Sequence, residues 1–359
     1  MGIALQLAQQ GAQKVAPNPM VGCIIVNNNT IIGQGFHEQY GGPHAEVNAL
    51  NHVQDKTLLK NSTLYVTLEP CAHFGKTPPC ADLIIQHKIP KVVIACIDTF
   101  SKVSGKGIEK LKAAGIEVTV GVLERRAQEI NKRFFTFHNK KRPYLILKWA
   151  KTTDGFIDRE RQSDEGINLK KVSTNGSVST PLCKQPIDNW ITTQESKKLV
   201  HFWRSEEQAI MVGTITALND NPQLTVRETE GNSPLRVVLD LNLRLPETLH
   251  VFDQSVPTIV INYQKNEKSD NLEFVKIDPC KELTDQILGT LYEKNIQSII
   301  IEGGAQLLNT FISEDIWDEA RVFTGKKVFE SGLKAPQITK EPKFVMQIGS
   351  DILSTYFND

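Results

Sequence analysis

The sequence has no excess of either charge: Lys plus Arg and Asp plus Glu number 41 each. This excludes the overall basic field by which a protein holds nucleic acid or an anionic membrane surface, and a small-molecule substrate fits better. No apolar run reaches the roughly 20 residues that a membrane-crossing helix needs. The opening MGIALQLAQQG also lacks the positive start and long apolar stretch of a secretory leader, so the cytoplasm is expected. Cysteine is scarce. Its six copies, Cys23, Cys71, Cys80, Cys96, Cys183 and Cys280, have no spacing that reads as a disulfide framework. Reduced thiols are expected, and only Cys71 and Cys80 look paired. Internal repeats and low-complexity tracts are absent.

What the chain does have is length, 359 residues with 40% of them apolar, enough for two cores of ordinary size. The expected division is 1–142 and 143–359. Up to about residue 140, short runs rich in Val and Ile (VGCIIV, STLYVTL, KVVIACI, IEVTVGV) alternate with helical segments (LQLAQQG, HAEVNAL, ADLIIQH, GIEKLKAAG). This is an α/β pattern with a mixed or mostly parallel sheet covered on both faces. LERRAQEINKRFFTFHNKKRP reads as a polar helix ending in a basic cluster, a solvated connector before the strand YLILKWA opens the second domain. Residues of about 159–188 show little apolar periodicity and read as a long surface loop. Alternation returns with ESKKLVHFWR (helix), AIMVG, LRVVLDL and TIVIN (strands), LTDQILGTLYEK (helix) and SIIIEGG (strand).

Chemistry concentrates in GGPHAEVNAL and TLEPCAHFGKTPPC. His44, Cys71 and Cys80 make a one-imidazole, two-thiolate set that leaves the fourth tetrahedral position of a zinc ion open, as catalytic sites do. Glu46, two residues from His44, can serve the same centre only at an entering turn, which Gly41, Gly42 and Pro43 supply. Each cysteine follows a proline (Pro70, Pro79), so both sulfurs are expected at helix N-termini, where amides and the helix dipole favour the thiolate. Zinc would acidify a bound water and Glu46 could move its proton, a hydrolytic deamination. Alone, His44 reads as a structural histidine and either cysteine as a buried apolar thiol; together they reverse those readings. His73 is a competing ligand that would close a structural Cys2His2 site and leave Glu46 without a task. His37 is a candidate for the pocket lining, while His52, His87, His138, His201 and His250 read as surface or packing residues.

The HAE element with a following PC motif is the signature of zinc nucleobase deaminases, whose glutamate is not a ligand. The usual gap of two residues between the cysteines is eight here, AHFGKTPP. With APNPMVGCIIV, YVTLEPCAHFGKTPPC, LKWAKTTDG, WIT, VGTITALNDNPQLTVR and IEGG in this order, nearly the whole chain resembles the bifunctional deaminase/reductase family of riboflavin biosynthesis. The resemblance implies a cytidine-deaminase-like α/β/α domain followed by a dihydrofolate-reductase-like α/β domain. It implies deamination of 2,5-diamino-6-ribosylamino-4(3H)-pyrimidinone 5′-phosphate, then reduction of the ribosyl group to ribityl, with zinc and NADPH as cofactors. By position, Asn18 and His37 would hold the pyrimidine or its sugar and Lys76 would meet the phosphate, although a solvated loop lysine is an equal reading of Lys76.

In the second half SIIIEGGAQLLNTFI is a strand, a Gly-Gly turn and a helix whose free N-terminal amides could dock a phosphate, although such turns also occur for backbone reasons alone. The resemblance implies NADPH contacts from Gly304, Ala305, Gln306 and Leu307 on to about Thr310, with Ala150, Trp190, Thr216 and Asp220. It places Asp188, Arg204, Leu224, Arg227 and Glu302 at the substrate. Lys148, after a buried-looking strand, and Asp220, in a DNP turn, are read as substrate-site residues that present charge near the sugar C1′. A guanidinium fork suits a ribose phosphate, a solvated helix arginine being the alternative for Arg204 and a local turn acceptor that for Asp220. Measured against the family pattern, the chain begins inside the first helix. DTFSKVSGKG, with Phe100 and Ser101, replaces an aspartate-proline-asparagine-proline stretch, and the loop before Trp190 is long, with Asp188 where a serine is usual. A symmetric homo-oligomer is expected. The rival readings are a deaminase for another base fused to an inactive reductase-like domain, and a non-catalytic binding protein with structural zinc.

Overall fold

The computed structural model describes residues 1–73, 78–99, 105–159 and 189–358. Lys76, Phe100, Ser101, Asp188 and all but the first residue of the loop expected at 159–188 lie outside the described residues. The chain divides into two compact units. One is Met1–Tyr144 with Ser205–Ala209 and Asp278–Ile299; the other is Leu145–Arg204 with Ile210–Ile277 and Ile300–Asp359.

The first unit is built on β1 (Gly22–Asn27), β2 (Thr30–Phe36), β3 (Ser62–Leu68), β4 (Lys91–Cys96) and β5 (Glu117–Val120), in the order β2-β1-β3-β4-β5. β1 pairs antiparallel with β2 and β3, whereas β3, β4 and β5 run parallel, so the sheet is mixed. Asn28 and Asn29, at φ 44° and 63°, close the β1–β2 hairpin, a left-handed turn that asparagine tolerates. Around the sheet lie α1 (Gly2–Gln9), α2 (Ala45–His52), α3 (Cys80–Gln86), α4 (Lys106–Ala113), α5 (Glu124–Ile130) and α6 (Lys132–Lys140). Ile25, Leu50, Leu64, Val66, Ile84, Ile94 and Leu111 form the core between sheet and helices. α2 lies directly on β2 because Gly35 has no side chain: a Cβ there would stand 2.4 Å from the Ala49 nitrogen. That close seat fixes the helix start that carries His44 and Glu46.

The connector read as one polar helix is two. Asn131 breaks it, its side chain accepting from Met20 N–H at 2.8 Å and donating to the Met20 carbonyl at 2.9 Å. α6 is amphipathic, with Phe134 and Phe137 buried, and is part of the core.

The second unit rests on a ten-stranded sheet made of β6 (Tyr144–Lys151), β8 (Ala209–Gly213), β9 (Leu235–Leu239), β10 (Thr258–Asn262), β11 (Glu267–Lys268), β12 (Leu272–Lys276), β13 (Ser298–Glu302), β14 (Glu319–Thr324), β16 (Phe344–Ile348) and β17 (Asp351–Phe357). Its order is β11-β12-β10-β9-β8-β13-β6-β14-β17-β16; two short strands, β7 (Phe156–Asp158) and β15 (Leu333–Lys334), pair separately. The apolar runs AIMVG, TIVIN and SIIIE become inner strands, as expected of strands covered on both faces. α7 (Gln194–Glu206), α8 (Thr214–Asp220) and α10 (Ala305–Ser313) carry the residues of its candidate site. α9 (Leu283–Glu293) belongs to the first unit. Among the described residues no helix is long and apolar enough to cross a membrane.

Candidate functional sites

His44 is the residue before α2, and Cys80 is the first residue of α3. Cys71 lies in irregular chain after β3, not at a helix start as its proline had indicated. It meets a helix N-terminus nonetheless, because the Cys80 amide donates to its sulfur at 3.3 Å. The His44 Nδ1 atom stands 3.6 Å from the Cys71 sulfur and 3.3 Å from the Cys80 sulfur. A tetrahedral zinc with ordinary bond lengths would separate N and S by about 3.6 Å, so the three donors fit the ion. Among the described residues they form the one such group of ligands, and exposed His73 stands outside it. The hydrogen bond from Cys80, followed by that with His44, lowers the Cys71 thiol to about 4, while the same bond and burial raise Cys80.

Glu46 occupies the first turn of α2 and is buried. Burial, then the charge of Cys71, raises its carboxyl to about 7 against the opposing pull of His44. A carboxyl poised there can both take and return a proton near neutrality. His37 meets His44 edge to face, with the ring centroids 5.6 Å apart. Its Nδ1 faces the Pro43 carbonyl at 3.0 Å, which requires the proton on Nδ1 and leaves Nε2 to accept from the Asn18 amide at 3.0 Å. Burial lowers the His37 pKa, in keeping with that neutral ring. These groups open onto a cavity of about 320 Å³.

Glu69, just before Pro70 and Cys71, also lines the cavity. Its carboxylate accepts from the backbone amides of Asp98 (3.3 Å), Gly105 (2.9 Å), Gly107 (2.9 Å) and Ile108 (3.2 Å). It thereby caps α4, which has no side-chain cap of its own, and the approach is so close that a Cβ on Gly107 would lie 2.0 Å from the Pro70 oxygen.

In the second unit Glu302, the last residue of β13, accepts from Arg204 of α7 through both oxygens, Nε at 3.1 Å and Nη2 at 2.9 Å. Lys148 of β6 approaches the same carboxylate at 3.7 Å. Burial works against the Glu302 charge, but Arg204 and Lys148 outweigh it and hold the carboxyl at about 2. Burial lowers Lys148, with Glu302 resisting. Beside them His201 is buried and accepts from the Arg227 amide at 3.0 Å; burial, then Arg204 and Arg227, push it to about 4, so the ring is neutral. Arg227 is exposed and donates to the Thr225 hydroxyl at 2.7 Å.

The Gly-Gly turn after β13 faces the start of α8. Gly303 adopts φ 137°, and the Gly304 amide donates to the Thr216 hydroxyl at 2.7 Å, so that amide is engaged where free ones were expected. Ala305 begins α10, Leu307 is buried and Gln306 exposed; Ala150 sits in β6, Asp220 ends α8, and Leu224 is buried at φ 56°. Trp190 is 55% exposed. Lys76 and Asp188 lie outside the described residues.

Residues 1–96 match the family described as the cytidine and deoxycytidylate deaminase zinc-binding region, and residues 143–345 match the RibD C-terminal domain. The riboflavin biosynthesis protein RibD of Aquifex aeolicus is 42% identical over 93% of this chain and 88% of its own length. The chain belongs to the RibD family. RibD of Bacillus amyloliquefaciens is 36% identical over 99% of this chain and 94% of its own. A crystal structure from Thermotoga maritima, described as a diaminohydroxyphosphoribosylaminopyrimidine deaminase/5-amino-6-(5-phosphoribosylamino)uracil reductase, superposes with a TM-score of 0.81 at 35% identity, covering 99% of this chain and 96% of that one. As a RibD the chain is a bifunctional enzyme of riboflavin biosynthesis, a zinc-dependent deaminase joined to an NADPH-dependent reductase, with a cytidine-deaminase-like and a dihydrofolate-reductase-like fold.

Several residues around the RibD sites were not singled out from sequence. Glu69, Asp98, Phe134, Phe137, His138 and Gln297 line the zinc-side cavity. His138 and His201, read as ordinary histidines, stand at a site. For α6 a signal existed: Phe134, Phe137 and His138 recur at helical spacing and mark one face. Glu69 was visible as an acid directly after an apolar strand and two residues before a ligand cysteine. For Gln297 the sequence held no signal.

Proposed function

We propose that the zinc-side site deaminates 2,5-diamino-6-ribosylamino-4(3H)-pyrimidinone 5′-phosphate and that the second site reduces the ribosyl group of the product, giving 5-amino-6-ribitylaminouracil 5′-phosphate. The observation that carries this reading is the three-ligand set of His44, Cys71 and Cys80, with one tetrahedral position left over and the buried Glu46 carboxyl in the first turn of the helix that follows His44. Zinc supplies an acidified water and NADPH a hydride. Glu46 takes one proton of the attacking water and gives it to the ring nitrogen, then moves the second water proton to the amine, which departs as ammonia. His44, Cys71 and Cys80 hold the ion. Asn18 and the neutral His37 hold the pyrimidine or its sugar, and Lys76 meets the phosphate.

In the reductase, Arg204 and Arg227 with Asp188 and Leu224 receive the phosphorylated sugar, and Lys148 and Glu302 set the charge near C1′. Gly304, Ala305, Gln306, Leu307, Ala150, Trp190, Thr216 and Asp220 take NADPH. The activities divide at 1–142 and 143–359. With purified protein, the diaminopyrimidine substrate should release ammonia and then oxidise one NADPH per ammonia; ammonia without NADPH oxidation would support the rival reading with an inert second domain.

The balanced charge of the chain supports a cytoplasmic enzyme without a nucleic-acid partner. A homo-oligomer completes the proposal, supported by the sheet-edge strand β16, where Phe344, Val345 and Met346 are 54%, 60% and 54% exposed. Light scattering at micromolar concentration should give a multiple of the 40.2 kDa chain mass, and a monomer would refute it.

A further inference from the structure

The turn that carries Asn18 is pinned at both ends by side chains far away in sequence. At one end Asn131 binds the Met20 N–H and carbonyl. At the other, the side-chain amide of Gln297 donates to the Pro17 carbonyl at 2.7 Å. Between the pins the Asn18 N–H closes the turn onto Val15 at 2.8 Å, and its side chain donates to His37, whose other nitrogen holds the carbonyl of Pro43, the residue before His44. A continuous run of hydrogen bonds therefore leads from Gln297 to the ligand end of α2.

Gln297 is well placed to be rigid. It is 5% exposed, its backbone carbonyl accepts from the Tyr144 amide at 2.8 Å, and its own N–H donates to the Gln208 side chain. The α9 helix just before it packs Tyr292 against Phe137 of α6 at 4.7 Å between ring centroids, and Phe137 lines the same cavity as Gln297. Both pins lie outside residues 1–96, the stretch matched by the deaminase zinc-binding family, and Gln297 lies inside the stretch matched by the RibD C-terminal domain.

We infer that Gln297 is a positioning residue of the deaminase pocket, holding Asn18 in place through the Pro17 carbonyl. Substrate affinity at the zinc-side site thus depends on a side chain carried by the reductase-type stretch of the chain. The inference rests on the proposed role of Asn18 at the pyrimidine or its sugar.

The test uses the full-length zinc enzyme with Gln297→Met, which keeps the volume without a donor, and Gln297→Glu, which is isosteric but offers acceptors to a carbonyl. Both variants should raise the KM for deamination about tenfold while kcat stays within about threefold and zinc content is unchanged, as expected when a hydrogen bond that orders the binding turn is lost. A role in packing alone predicts a Gln297→Glu enzyme with the KM of the parent. In an Asn18→Ala background Gln297→Met should add nothing further, because the two act in one chain of contacts. A KM within about twofold of the parent in both single variants, or an effect of Gln297→Met that persists undiminished without the Asn18 side chain, overturns the inference. An Asn18→Ala enzyme with unchanged KM would instead overturn the role of Asn18 on which it rests.

Discussion

Replacing Glu46 with glutamine should lower ammonia release by about a thousandfold or more, the scale of losing a positioned acid–base group, while NADPH oxidation with the deaminated intermediate persists. The amide keeps the shape of the carboxyl but cannot accept the water proton and return it. The zinc ligands are untouched, so about one zinc per chain should remain bound, measured by elemental analysis of the folded variant. Simultaneous loss of both activities would contradict two independent sites, and loss of zinc would contradict a glutamate outside the ligand set.

The same substitution has a pH-dependent effect on the stability of the metal-free enzyme. The folded Glu46 carboxyl sits at about 7, above its ordinary value of 4.5, because burial disfavours the charge. The favourable contribution is fully present below pH 4.5 and is lost as the pH rises towards and through 7, where holding the ion inside costs about 3 kcal/mol. Chelated Glu46→Gln protein should therefore be more stable than the chelated parent at pH 8, by up to that amount, and the gap should close towards pH 5. A gap that widens on acidification would show that burial is not what raises the carboxyl.

Legibility in the sequence followed the range of the interactions. The strands β8, β10 and β13 could be read because runs of three or four consecutive apolar residues, bounded by polar or small ones, mark a strand covered on both faces. His44, Glu46 and Cys80 were legible for a similar reason: a glycine-proline turn or a proline sets each at a helix start within a few residues. Cys71 shows the limit. The proline before it implied a helix, but its helix-end amide comes from Cys80, across the eight-residue gap. Asn131 was hidden for a stronger reason, since its break between α5 and α6 is enforced by Met20, 111 residues away. Arg236 is fully buried against Asp253, and no local pattern distinguishes it from the solvated arginines of the chain. The inner ring of the zinc site is thus mostly local in origin and part of the outer wall is not: Phe134 and His138 share a helix face readable from their spacing, whereas Gln297 emerged only from the fold.

In the reductase the largest effect is expected at Glu302. Its two oxygens are both engaged by Arg204, with Lys148 close behind, and the side chains of Arg204 and Glu302 are each 11% exposed. Glu302→Gln leaves two buried cations with no anion between them and a third, Arg227, nearby; breaking such a pair from one side typically costs about 3–5 kcal/mol. Acid titration gives a second signature. The folded carboxyl lies at about 2, below 4.5, so the stability it contributes is present above pH 4.5 and is lost as the pH falls through 2. The variant should be less stable than the parent at pH 7 and should show a flatter decline between pH 5 and 2, followed by thermal unfolding with the two units resolved as separate transitions. NADPH oxidation should fall with it, because Arg204 and Lys148, freed from Glu302, no longer present a fixed charge pattern to the sugar phosphate. Ammonia release should continue, since Arg204 and Lys148, which hold Glu302, are not among the described residues that line the zinc-side cavity. Parental NADPH oxidation in a destabilised Glu302→Gln enzyme would show that the carboxylate merely neutralises Arg204 and has no part in the second reaction, and parental stability would refute the ion-pair role itself.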